Sequence, residues 1–188
     1  MIFDIKLLPP DFVKTDSAAA LLPIYDPELD DVSSVLYDIC GVLDEKGYKF
    51  LARVLDEEPW PVSLQWELVI VLEQLPRVLV AFTQNQACSL DFYEQGIERF
   101  VTFSPIGASV AVERLAVRAP EAEALRRGTA PRTLVEAELL RLGHDVLRAS
   151  SIMCPLLAAH PWFEGWASVL RLALLELATA QTLRGAAS

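Results

Sequence analysis

Hydrophobic positions along the chain follow two rhythms: alternate residues in several short runs, and spacings of three and four in longer ones. Met1–Leu8 reads as a short first strand, closed by Pro9-Pro10. Asp11–Asp31 is rich in Pro, Asp and Ala without a period, and reads as an irregular surface loop. Val32–Leu43 and Tyr48–Leu55 read as two strands joined around Asp44-Glu45-Lys46-Gly47. Gly47 there suits the left-handed conformation of a short hairpin loop. In the second run Tyr48, Phe50, Ala52 and Val54 alternate with Lys49, Leu51, Arg53 and Leu55, the pattern of a half-buried strand.

After the break at Pro59-Trp60-Pro61, the positions Leu64, Leu68, Val71, Leu72, Leu75, Val78, Leu79 and Phe82 predict an amphipathic helix over Ser63–Gln84. Glu67 stands one residue beyond the capping-box offset from Ser63, and Pro76 is expected to kink or divide the helix. The run Leu68-Val69-Ile70-Val71-Leu72 equally suits a buried strand. Cys88–Tyr93, Ile97–Phe103 and Ala108–Val117 predict an antiparallel meander, with turns at Glu94-Gln95-Gly96 and Pro105-Ile106-Gly107. Residues 119–132 carry Pro120, Gly128 and Pro131 and read as a connecting loop with a helical turn at Glu121–Arg127.

The last third reads as helical. Thr133-Leu134-Val135-Glu136 has the form of a capping box, followed by a stripe of Val135, Leu139, Leu142, Val146, Ala149, Met153 and Leu156. His160-Pro161-Trp162 breaks it, with Pro161 suited to the first turn of a second helix. That helix is expected to bury Trp162, Trp166, Val169, Ala173 and Leu177, while Leu172 and Leu175 widen its apolar sector. The sum is a single α+β domain over 1–188: an antiparallel sheet of about five or six strands with helices packed on one face and a C-terminal helical hairpin. Residues 1–118 supply mainly sheet plus one helix, and 133–184 the hairpin.

Composition narrows the function classes. The apolar fraction of 53% points to a large core or to apolar surface covered by a partner. The first residues lack a secretory leader pattern, Trp166–Leu183 is interrupted by Arg171 and Glu176, and Cys40, Cys88 and Cys154 form no C-x-x-C pair. These features predict a cytoplasmic protein with reduced thiols, off the membrane. Residues 1–94 hold 17 acidic and 6 basic side chains, a net of −11, against a net of +1 for residues 95–188. Such a field repels nucleic acid and attracts basic surfaces.

Catalytic chemistry finds few residues. His144 falls on the polar face of its helix, and His160 precedes a proline, where an imidazole commonly bonds the backbone. No G-x-S-x-G elbow, glycine-rich phosphate loop or complete calcium loop occurs. Asp91, Glu94 and Glu98 could serve as acid–base carboxylates, although cross-strand pairing with Arg99 is the simpler reading. No cofactor, metal site or enzyme activity is expected.

The segment Asp91-Phe92-Tyr93-Glu94-Gln95-Gly96, with its flanks Ser89 to Phe100, resembles small acidic bacterial immunity-type proteins of polymorphic toxin and type VI secretion systems. His160-Pro161-Trp162 with Trp166 is similar to a helix junction of the same group. The resemblance implies an immunity protein that neutralises a cognate toxin by covering its active site. Acidic charge would speed the encounter if that toxin is basic. The candidate contact residues are Asp26, Glu28, Asp30 and Asp31 in the loop, Asp44, Glu45, Asp56, Glu57 and Glu58 near the hairpin, and Trp60 as an aromatic anchor. Each has a plainer reading: a solvated acid, or, for Trp60, a lid on the core. The alternative function is a homo-oligomeric structural or adaptor protein without catalytic activity, forming a homodimer through the C-terminal helix.

Overall fold

The computed structural model describes residues 2–11, 23–55, 58–94, 97–117 and 125–186, the side chains of Tyr93, Glu94 and Ile97 excepted. The α+β class holds, but the six strands among the described residues form two sheets rather than one. β1 (Phe3–Leu8) pairs antiparallel with β2 (Lys49–Val54), matching Phe3 with Val54 and Leu7 with Phe50. β3 (Cys88–Glu94), β4 (Ile97–Ile106), β5 (Ser109–Ala116) and β6 (Leu125–Pro131) form a four-stranded antiparallel meander.

Val32–Leu43 is not a strand. It lies in helix α1 (Val32–Glu45), which buries Val35, Leu36, Ile39, Cys40 and Leu43, one face of a 3.6-residue period. Asp31 caps its start, accepting a hydrogen bond from the Ser33 amide at 2.8 Å. The expected hairpin turn is the end of this helix. Gly47 sits at φ +87°, its amide donates to the Asp44 carbonyl, and the Tyr48 amide reaches back to Leu43. That is a Schellman termination, which needs the same left-handed glycine as a tight turn.

The second helical segment opens with a wide π turn, Leu64–Leu68, and continues as α2 (Val69–Thr83). The extra residue explains the displaced capping box. Glu67 accepts both the amide and the hydroxyl of Ser63 at 2.7 Å, while Ser63 accepts the Trp66 amide. Pro76 does not divide α2. Proline has no amide for the carbonyl four residues back, that of Leu72. The indole of Trp166 donates to this freed carbonyl at 3.2 Å, so the proline docks a neighbouring helix. Trp166→Phe is therefore expected to cost about 1–3 kcal/mol by leaving that carbonyl unpaired, measured by denaturant unfolding.

Residues 118–124 lie outside the described set, and with them most of the expected helical turn at 121–127. Leu125–Pro131, within the expected connecting loop 119–132, is edge strand β6, pairing Val110 with Ala130 and Val112 with Gly128. Its arginines and glycine suit an edge, where packing is light and charge discourages further pairing. Strand then runs directly into helix: α3 (Arg132–Met153) begins without a side-chain cap. The Thr133 capping box is not formed, and Glu136 turns into the core instead. The stripe Val135, Leu139, Leu142, Val146 and Ala149 is buried as expected. It stops at Met153, leaving Leu156 exposed on the single-turn helix α4 (Pro155–Ala158).

Pro161 opens α5 (Pro161–Ala186). Its buried face is centred on Phe163, Ala167, Leu170 and Leu174, with Ala173 and Leu177; Val169 is exposed, contrary to expectation. At Gly143 a β-carbon would lie 2.9 Å from a methyl of Leu174, so the glycine sets how closely α3 and α5 approach. Leu90, Phe92, Val101, Phe103, Val110 and Val112 turn one face of the larger sheet into a core shared with the helices and the smaller sheet. Phe103 joins these layers, meeting Phe3 of β1 edge-on at 5.1 Å and Phe82 of α2 at 5.6 Å.

Candidate functional site

Two helices and an irregular segment meet around a groove of about 540 Å³. Residues 23–30 form one wall with Ile24, Tyr25 and Asp30. The first turns of α1 supply Ser33, Tyr37 and Asp38, and the π turn with the start of α2 supplies Trp66, Ile70 and Glu73. The wall is built by its own carboxylates: Asp26 accepts the Glu28 amide at 2.9 Å, and Asp30 accepts the Asp26 amide and the Ser34 hydroxyl, both at 2.8 Å. The amide and hydroxyl hold the Asp30 carboxyl below its ordinary value. Tyr25 donates to Asp38 at 2.7 Å, and burial together with that carboxylate pushes its phenol well above the usual range. Tyr25 also stacks edge-on against His160 at 5.0 Å and lies 5.8 Å from Trp162, fastening the segment to the α4–α5 junction.

The open side is aromatic and acidic. Tyr37 and Trp66 meet edge-to-face at 5.2 Å, and Trp66 is 50% exposed. Asp30, Asp38 and Glu73 supply negative charge, and among the described residues no lysine or arginine lines the groove. Aromatic faces beside carboxylates, without a competing cation, are the surroundings a guanidinium or ammonium group prefers.

The residues singled out from sequence scatter. Asp26 and Glu28 are exposed on the segment that walls the groove, Asp30 lines it, and Asp31 is spent capping α1. Asp44 and Glu45 are exposed at the other end of α1, about 20 Å away along a helix of this length. Glu58 is exposed, while Asp56 and Glu57 lie outside the described residues. Trp60 is not an open anchor. It is buried edge-on against Phe92 at 5.1 Å, with the Arg99 guanidinium 4.8 Å from its ring centre. The exposed tryptophan is Trp66, and its position off the apolar stripe of its helix was the signal available in the sequence. Tyr37 and Asp38 carried none, because their segment reads as strand.

The fold holds the cysteines, His160 and Asp91 in specific surroundings. Burial pushes the thiols of Cys88 and Cys154 up to about 11 and about 12, so neither is a thiolate at neutral pH. His160 accepts the Trp162 amide through Nδ1 at 3.4 Å. Asp91 lies opposite Phe100 in the β3–β4 ladder, and Tyr93 opposite Glu98. The Asp91 backbone, not its carboxylate, is bound by both ends of the Gln74 amide at 3.0 Å. Neither Asp91 nor Glu98 lines the groove, and the Glu94 side chain lies outside the described set. Among the described residues no cluster of three or more potential ligands could hold a metal ion, and no helix is long and apolar enough to cross a membrane.

No family model matches the chain, and no curated protein or solved structure matches it either. The groove and its chemistry are therefore the firmest guides to function.

Proposed function

We propose that this is a non-catalytic binding protein that takes a basic segment of a partner protein into the Tyr37–Trp66 groove, and that the partner is a toxin it neutralises. The observation that carries the binding reading is the groove itself: two packed aromatic rings and three carboxylates, with no cation among the described residues that line it. An arginine or lysine side chain entering there would lie over Trp66 and reach Glu73, whereas an anionic ligand would meet only repulsion. The net charge of −10 adds long-range attraction for a basic partner. The toxin assignment rests on the likeness of the Asp91–Gly96 hairpin and the His160–Trp162 junction to immunity-type proteins.

The test is capture of a partner by the tagged chain at low and high salt, followed by expression of that partner with and without this protein. A basic partner that arrests growth alone, and is tolerated when co-expressed, is the expected result. Trp66→Ala is expected to weaken the complex by about 2 kcal/mol or more, the scale of an aromatic hot spot, and Glu73→Lys to slow association. Equal binding by wild type and both variants would remove the groove from the interface. A captured partner harmless on its own would remove the toxin reading and leave the binding reading standing.

A further inference from the structure

The outer face of α5 is uncovered, and its residues follow a repeat. Gly165, Ser168, Leu172, Leu175, Thr179 and Thr182 recur at alternating three and four, the seam spacing of a coiled coil. All six are exposed, none is charged, and they lie opposite the face that carries Phe163, Leu170 and Leu174 into the core. Leu172 and Leu175, at the centre of the seam, are 57% and 65% exposed; Val169 and Leu183 beside them are 57% and 67% exposed. Four of the six seam residues are small, which lets a second helix approach closely.

The flanking charges say what that helix is. Arg171 and Glu176 border the leucines on opposite sides of the seam, in the g and e positions. Five residues apart on one helix, they point about 140° from each other and cannot meet within the chain. Neither is ion-paired to another described residue. When two such helices run parallel, a g residue of one meets the e residue five positions on in the other, so Arg171 faces Glu176 of the second copy, twice by symmetry. When they run antiparallel, like flanks face like flanks, and neither charge finds its complement.

We propose that two copies of this chain pair through α5 as a parallel, two-fold helix seam centred on Leu172 and Leu175 and closed by two Arg171–Glu176 ion pairs. No residue lining the groove belongs to α5, so the pairing stands or falls apart from the proposed partner site.

Sedimentation of the full-length chain tests it. The wild type is expected to shift from monomer to dimer as concentration rises through the micromolar range. Leu172→Glu with Leu175→Glu is expected to abolish the dimer without moving the thermal midpoint of the monomer, since both side chains are exposed. Arg171→Glu is expected to raise the dissociation constant by at least about tenfold, and adding Glu176→Arg to restore it. Thr179→Cys, on the seam, is expected to give a disulfide-linked dimer on mild oxidation, which only the parallel arrangement allows. A wild type monomeric throughout, a dimer indifferent to the double leucine change, or a charge swap that fails to restore pairing would each overturn the proposal. Failure of Thr179→Cys to crosslink a dimer would overturn its parallel sense.

Discussion

Glu136→Ala is expected to lower the unfolding free energy by about 3–5 kcal/mol, the cost of leaving a buried ion without its partner. Glu136 is fully buried in α3. Its carboxylate accepts Arg132 Nε at 2.7 Å, Arg184 at 2.6 and 2.8 Å, and the Gln181 amide at 2.9 Å. Arg132 is itself buried and extends the network to Asn85 Oδ1 at 2.6 Å and to the Phe82 carbonyl. The group therefore ties the end of α2, the start of α3 and the end of α5. Removing the carboxylate leaves the Arg132 guanidinium desolvated and only partly bonded. The contrasting variant is Arg132→Met with Glu136→Leu and Arg184→Met. Replacing all the charges removes the desolvation penalty along with the attraction, so most of the loss should be recovered. Urea unfolding of the two variants separates the accounts: equal losses in both would mean that the site fails through packing rather than through uncompensated charge.

Phe103→Ala should cost a comparable amount, about 3–5 kcal/mol, for a different reason. Phe103 is fully buried in β4, paired across the sheet with Cys88 on one side and Val112 on the other. Its ring is the contact through which the four-stranded sheet meets both Phe3 and Phe82. Truncation opens a cavity where three layers converge, and none of them can close it without dragging its own hydrogen-bonded ladder or helix. Against a total stability of roughly 5–15 kcal/mol for an ordinary domain, that leaves little margin. Besides the lower unfolding midpoint, faster amide exchange in β1 and β2 is expected, because those strands lose one of their anchors to the larger sheet, keeping the Phe50–Phe92 stack at 6.5 Å. A loss below about 1 kcal/mol, with β1 exchange unchanged, would show that the sheets are held together elsewhere.

The groove and the buried network differ in how much of each the sequence carries. Asp30 and the loop acids were visible as charge, and Trp66 as an aromatic off its stripe. Tyr37, Asp38 and Glu73 become neighbours only when α1 and α2 are laid side by side. At Gly41 of α1 a β-carbon would stand 2.9 Å from the side-chain amide of Gln65, in the π turn that leads into α2. Glu136 was visible as a capping residue and proved to be the centre of an ion cluster, because its partners Arg132 and Arg184 arrive from four and forty-eight residues away. Linear spacing records the first of these distances and nothing of the second.

Local physics decided a good part of the chain in advance. The three-and-four stripe of Val135 to Ala149, the alternation through Val101, Phe103, Val110 and Val112, the strand at Phe50 to Val54 and the helix start at Pro161 each depend on one periodicity or one backbone restriction, and each stands in the structure. What the sequence left to the tertiary structure are the places where two local solutions share one signature. A left-handed glycine ends a helix as readily as it turns a hairpin, so Gly47 closes α1. An edge strand need bury little, so the arginine-rich β6 carries no apolar alternation and is defined by the ladder β5 offers it. The helix α5 is apolar on more than one side, and only packing against α1, α2 and α3 chose which side went inward and left Leu172 and Leu175 facing out. Burial is a property of the assembled layers, and the chain alone supplies only the residues among which they choose.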